Sequence, residues 1–246
     1  AFLATIRESP DDDTPRLMYA DWLTDRGDER GEFIRVQCEV ARMDEDDPRR
    51  PALVRRANSL LRRHARQWRA ALPRLRGVRW GPFERGFIAA VQLSSVGALV
   101  GGLGQLLDTA PTAEIQLRGT TRGELRQLFA SEQAARIRAL RVEAYSLYTV
   151  DPSAVAESPH AVGLRSLRFE QPAPGACRAV AASPYLTGLR RLALIGGDIG
   201  DAGAIAIAES TRLASLSQID LQNNRVGPEG VRSLATSGRL RLTELS

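Results

Sequence analysis

Lysine is absent: all 34 basic residues of this 246-residue chain are arginine. In a chain also rich in Ala, Gly and Leu, that bias reflects a GC-rich genome rather than a demand for guanidinium chemistry. Only two histidines and two cysteines occur, and no pair of them has metal-ligand spacing. Cys38 and Cys177 do not indicate a disulfide scaffold; both read as small buried hydrophobes. No apolar run approaches the ~20 residues that a membrane-spanning helix needs. No secretion signal opens the sequence, so a cytoplasmic location is expected.

Catalytic signatures are missing as well. There is no Gly-x-Ser-x-Gly elbow, and Gly101-Gly102-Leu103-Gly104 lacks the lysine and the strand–helix order of a phosphate loop. The acidic clusters Asp11–Asp13 and Asp44–Asp47 lack the glycine and final glutamate of a calcium loop, so they read as caps and turns. His64 falls on an apolar helical stripe and reads as a core histidine, while His160 follows Ser158-Pro159 as a turn residue. Asp21 is the carboxylate best placed to order a buried network, but it has no partner for acid–base work. The expectation is a non-enzyme with no catalytic residue, no cofactor and no metal site.

What is present is repetition. The pattern apolar-x-x-apolar-x-apolar starts at Ile88, Thr112, Ile137, Leu164, Leu189, Leu216 and Leu242, with starts 24 to 27 residues apart. The clearest copies run Leu189-Arg-Arg-Leu192-Ala-Leu194 and Leu216-Ser-Gln-Ile219-Asp-Leu221-Gln-Asn-Asn224. Positions 1, 4 and 6 of each copy are expected to point inward from a short strand. Thr112 is the weak member. Behind the strands, Thr121–Phe129, Asp201–Ala208 and Pro228–Ala235 read as helices, Pro228 suiting a first turn where a missing N–H costs little. Spacing and pattern lie in the range of leucine-rich repeats, and the period near 26 with full helices resembles the ribonuclease-inhibitor class. The resemblance implies an α/β fold: a right-handed leucine-rich-repeat solenoid, or horseshoe, of about six repeats over residues 81–246. Parallel strands would line its concave face and helices its convex face. The asparagine typical of position 9 occurs only as Asn224; Val96, Thr120, Tyr145, Pro172 and Gly197 stand in its place. The final Leu242-Thr-Glu-Leu245 starts a seventh strand with no helix behind it, which reads either as a fragment boundary or as a capping strand.

Residues 1–80 follow a helical pattern instead. Thr14-Pro15 is expected to cap and open a helix through Leu23 that Gly27 stops, and Asp28 to cap a second bearing Phe33, Val36 and Val40. A third, roughly 49 to 72, carries Leu53, Ala57, Leu60, Leu61, His64, Trp68 and Leu72 on one stripe. The stretch from Pro10 through Tyr19-Ala-Asp-Trp22 and Gly31-Glu-Phe-Ile34 to Cys38 resembles the repeat-companion domain of planctomycetes and related bacteria. That resemblance implies a bacterial origin and an all-α companion fused to repeats. It implies no reaction. Physically, a repeat array needs a cap over its first apolar edge, and Trp22, Phe33, Trp68 and Trp80 supply material for one.

Charge is uneven. Residues 1–47 hold 14 acids and 6 Arg, whereas residues 48–79 hold 11 Arg and no acid. The Arg-rich helix of residues 49–79 reads mainly as the partner of the acidic helices before it. The alternative is nucleic-acid binding through Arg49, Arg50, Arg55, Arg56, Arg62, Arg63, Arg66 and Arg69. A further alternative is a regulatory or targeting fragment of a larger protein.

The expected function is non-enzymatic protein–protein interaction: a scaffold that holds an unidentified macromolecular partner on the concave face. Side chains that alternate with the inward ones point there: Gln92, Glu114, Gln116, Arg118, Arg141, Glu143, Arg168, Glu170, Arg191, Gln218, Asp220 and Gln222. Register is expected to bring Arg141 beside Arg168 and Glu143 beside Glu170. Tyr145 and Tyr148, at a strand exit, are the aromatic anchor candidates.

Overall fold

Apolar residues that recur every three or four positions need a helix to gather on one side, and those that recur every second position need a strand. A computed structural model, which describes residues 2–97, 101–144 and 149–246, places both periodicities as the sequence divides them. Helices α1 (Phe2–Glu8), α2 (Thr14–Thr24), α3 (Arg30–Arg42) and α4 (Arg50–Ala70) come first. Four short strands follow: β1 (Val78–Trp80), β2 (Phe83–Glu84), β3 (Phe87–Ile88) and β4 (Ala90–Leu93). Strand and helix then alternate through α5 (Leu103–Thr109), β5 (Glu114–Arg118), α6 (Arg122–Phe129), β6 (Ala139–Glu143) and α7 (Ser153–Ala156). The rest is β7 (Ser166–Glu170), α8 (Ala176–Ala182), β8 (Arg191–Ile195), α9 (Gly200–Ala208), β9 (Gln218–Asp220), α10 (Pro228–Ala235) and β10 (Glu244–Leu245).

Two compact units result. The first comprises Ala1–Leu75, Trp80–Val91 and Gly104–Ala113. Its core is Ile6, Ala20, Leu23, Ile34, Cys38 and Phe87, with Phe33 packed between the rings of Trp68 and Phe83 at 4.8 and 6.0 Å. The turn between β2 and β3 places Arg85 and Gly86 at φ of 47° and 83°. Gly86 is required there, because a Cβ would lie 2.2 Å from Ile34. Ile88, expected to start the first repeat strand, thus pairs with Phe83 in a small antiparallel hairpin.

Three expectations for this unit need correcting. Thr14 does not cap α2 but is its first residue; its N–H donates to Asp12, whose carboxyl that bond holds below its ordinary range. Asp12 wins because its short side chain reaches an amide two residues on, which Thr14 cannot do for itself. Trp22 is not core: it is 40% exposed, with the Arg26 guanidinium 3.9 Å over its ring. Asp21 orders no buried network either, since it faces solvent and pairs with Arg35 at 2.7 Å. The buried carboxylate is Asp13, contacting Arg42 at 3.0 Å and Arg16 and Arg85 at 3.7 and 3.6 Å. An acid at a helix start among three guanidiniums can be buried charged; one on an outer helical face has no reason to be.

The second unit comprises Arg76–Arg79, Gln92–Leu103 and Glu114–Ser246. Strands β5 to β10 lie wholly within it and are neighbours in that order in one sheet. From β5 to β10 every neighbouring pair is parallel, so each connection is a crossover through a helix or a helical turn. Register steps by one repeat: Ile115, Leu140, Leu167, Leu192 and Ile219 align across five strands, and all are buried. Every inward position of the first six copies is buried except Thr112, which is half-buried; in the seventh, Leu242 is half-buried and Leu245 exposed. Leucine, isoleucine and valine on one side of a pleat leave water only by stacking on the next copy, and that fixes the register.

Asn224 secures one junction of the stack. Its buried side chain donates to the carbonyls of Leu194, Leu221 and Gln222 and accepts from the Gly197 amide at 2.7 Å. Gly197 stands where another asparagine would be expected, and a Cβ there would meet the Pro172 ring at 2.4 Å. Asp201 makes a second junction, accepting from the amides of Gly227 and Gly230 at 2.6 and 2.9 Å and so capping α10.

Candidate functional site

Strand residues opposite the buried set share the other face of the second unit's sheet. Aligned rows run Gln116–Arg141–Arg168–Ala193–Asp220 and Arg118–Glu143–Glu170–Ile195. A third row runs Glu114–Ala139–Ser166–Arg191–Gln218–Glu244. Gln92 alternates with buried Val91 and Leu93 in β4, and Gln222 follows β9 with its amide on Asp220 at 3.0 Å. Arg141 therefore lies opposite Arg168 and Glu143 opposite Glu170. Tyr145 and Tyr148 lie outside the described residues.

Like charges opposite one another in a sheet repel, and here the side chains turn instead to opposite charges, mostly in the neighbouring row. Arg118 Nε reaches Glu143 at 2.7 Å, Arg141 reaches Glu143 at 2.9 Å and Glu170 at 2.7 Å, and Arg168 reaches Glu170 at 3.2 Å. Three arginines and two glutamates form one chain of alternating sign. Glu143, with 18% of its side chain exposed, is its most enclosed member. These charges are already spent on each other. A partner that addressed them would have to break charge-assisted bonds, whereas one that lies over them meets a fixed polar surface.

Arg191 differs. It is exposed, and no ionic or hydrogen-bonding partner for its guanidinium is found among the described residues. It borders a shallow groove of about 230 Å³ that also touches Ser166, Arg168, Ala193, Gln218 and Asp220. Across the sheet, Arg79, Gln92, Ser94 and Arg118 line a second depression of about 430 Å³. Both are open rather than enclosed, so they suit side chains of a macromolecule better than a small ligand.

Among the described residues no group of three or more His, Cys, Asp or Glu could hold a metal ion, and no helix is long and apolar enough to cross a membrane. Burial pushes the thiols of Cys38 and Cys177 up to about 12, so neither is a nucleophile near neutrality. His64 stacks on Trp68 at 5.3 Å and pairs with Glu29 through Nε2.

Arg49, just before α4, and the arginines of α4 divide into separate sets. Arg49 pairs with Asp47, Arg56 with Glu32 through two bonds, and Arg63 with Glu29. Arg50 donates to the Val40 carbonyl, and Arg69 to those of Trp80 and Gly81. Arg55, Arg62 and Arg66 are exposed and have no partner among the described residues.

The sequence reading missed a set of serines. Ser158, Ser183, Ser210 and Ser237 donate to the carbonyls of Phe129, Ala156, Ala181 and Ala208, at 2.6 to 2.8 Å. Each ties the end of one helical segment to the repeat before it. The signal was available: a serine recurs at intervals of 25 to 27 residues, three residues before a buried Ala161, Leu186, Leu213 or Leu240.

Comparison with known proteins agrees with the repeat geometry. A family model described as Leucine Rich repeat matches residues 186–208 and 213–235, two consecutive copies that contain β8 with α9 and β9 with α10. No curated protein matches the chain.

Proposed function

We propose that the chain is a non-enzymatic interaction module that holds a protein partner on the outward face of the second unit's strands. The observation that carries the reading is Arg191, a cation with no partner among the described residues, at a groove beside five charged side chains already bonded to one another. Repeats of this kind create extended binding surfaces, because side chains from successive strands recur at fixed spacing. On this reading the repeats form a right-handed horseshoe of about six ribonuclease-inhibitor-like copies, and residues 1–80 are a helical companion of the bacterial type that caps them. Recognition then rests on Arg191, Gln218, Asp220 and Gln222, with Tyr145 and Tyr148 as aromatic anchors and the Arg118–Glu143–Arg141–Glu170–Arg168 chain, with Gln92, Glu114 and Gln116, as a preorganised floor. The protein works in the cytoplasm as a scaffold.

Photo-crosslinking tests the face directly. A crosslinking residue at Gln218 or Gln222 is compared with one at Arg178 or Arg232 on the helices, each in native lysate. Discrete protein adducts from the strand positions, lost when Arg191→Glu is added, are expected. Adducts from the helix positions alone would refute the assignment.

A further inference from the structure

The exposed row Arg55, Arg62 and Arg66 has no ion-pair or hydrogen-bond partner among the described residues, and we infer that it binds the phosphate backbone of duplex nucleic acid independently of sequence. The inference is separate from the reading of the strand face, and either can fail without the other. At 100° per residue the three positions fall within about 40° of arc, stepping about 10 Å and then about 6 Å along the axis. Arg49, Arg56 and Arg63 form a neighbouring row turned about 100° away, and each of those has an acidic partner. The acids of the first unit that reach α4 are thus consumed on one side of it, and the other side presents only positive charge.

Two features favour a phosphate backbone over other polyanions. The row is bordered by Ala52, Asn58 and Ser59, with no aromatic among them. A protein interface would bring an apolar centre, and a single-stranded nucleic acid would want stacking platforms. Membrane-surface helices sink an apolar face into lipid, but the apolar face of α4 is occupied, with Ala57, Leu60 and Trp68 buried. A duplex asks for neither: it carries one charge per ~1.7 Å of axis and is held at its backbone by exposed cations that displace counterions.

The test is fluorescence anisotropy of the full chain with a labelled mixed-sequence DNA duplex, between about 50 and 200 mM salt. Three phosphate contacts predict a slope of log K against log salt of about −2.7, which is an affinity loss of about 40-fold over that range. Each single variant, R55Q, R62Q or R66Q, should reduce the slope by about 0.9, and the triple variant should abolish binding. R178Q/R212Q/R232Q removes the same charge from the second unit and should leave the slope unchanged. Tryptophan fluorescence reports directly that the first unit stays folded, since Trp22, Trp68 and Trp80 all lie in it. Binding that survives the α4 triple variant, or falls equally with the control, overturns the inference. So does preferential binding of the row to polyglutamate or to phosphatidylserine vesicles in the same titration.

Discussion

Ser183 donates its hydroxyl to the Ala156 carbonyl at 2.6 Å, across 27 residues of sequence, and accepts from the Tyr185 amide at 3.2 Å. One buried side chain thereby satisfies a carbonyl at the end of α7 and an amide of the following turn. Ser158, Ser210 and Ser237 repeat the arrangement at neighbouring junctions, each accepting from the amide two residues on. In a stacked array, stability is a sum of repeats and the interfaces between them. Each of these serines is an interface term.

Ser183→Ala strands two backbone groups at a buried site, so a loss of about 2 kcal/mol is expected. Urea unfolding followed by far-UV circular dichroism reads it. Ser183→Thr keeps the hydroxyl and should lose less. An alanine variant as stable as the parent would show that water replaces the hydroxyl.

Asn224→Ala removes one acceptor and one amide group that serve Gly197, Leu194, Leu221 and Gln222. The expected cost is on the order of 3 kcal/mol. Asn224→Asp is informative because a carboxylate can still accept from Gly197 but cannot donate to the three carbonyls. It should be no better than alanine. Hydrogen exchange at the Gly197 amide should lose protection in the alanine variant and keep part of it in the aspartate variant.

The Arg56 guanidinium, by its hydrogen bonds, holds Glu32 below its ordinary value of 4.5. A carboxyl depressed in the folded state contributes stability that is fully present above its unfolded pKa and is lost as pH falls through the folded one. The stability gap between parent and Glu32→Gln should therefore be largest near neutrality and close below about pH 4.5. Salt should shrink it at neutral pH, because the pair is exposed. Thermal melts followed by tryptophan fluorescence isolate the first unit.

Cys38 and Cys177 should resist alkylation in the native protein, since burial pushes both thiols up to about 12. Iodoacetamide at pH 8 should label neither until denaturant is added, when both react. Rapid native labelling at Cys177 would mean that α8 opens locally on the labelling timescale.

Much of the repeat unit was legible because stacked strands impose a rigid period on apolar side chains. Leu140, Leu167, Leu192 and Ile219 are buried neighbours for the reason that placed them in the pattern. The same period put Arg141 opposite Arg168 and Glu143 opposite Glu170. It did not show that the four, with Arg118, would close into one neutralised chain, since side-chain lean depends on the neighbour across the ladder. In α4, opposite outcomes befell adjacent residues: Arg56 is bound twice by Glu32, and Arg55 by none of the described residues.

Sequence by itself determined what depends on spacing along the chain: an α/β array with a period near 26 residues, its inward side chains, and a helical stretch ahead of it. Tertiary structure alone decided which polar groups find each other. It buried Asp13 rather than Asp21, turned Trp22 outward, gave each recurring serine the carbonyl of the previous repeat, and left Arg55, Arg62, Arg66 and Arg191 without partners among the described residues. The reason is the range of the forces. Apolar burial is non-directional and follows from the local pattern, whereas hydrogen bonds and ion pairs need donor and acceptor within about 3 Å, a distance set only once separate segments of the chain have packed.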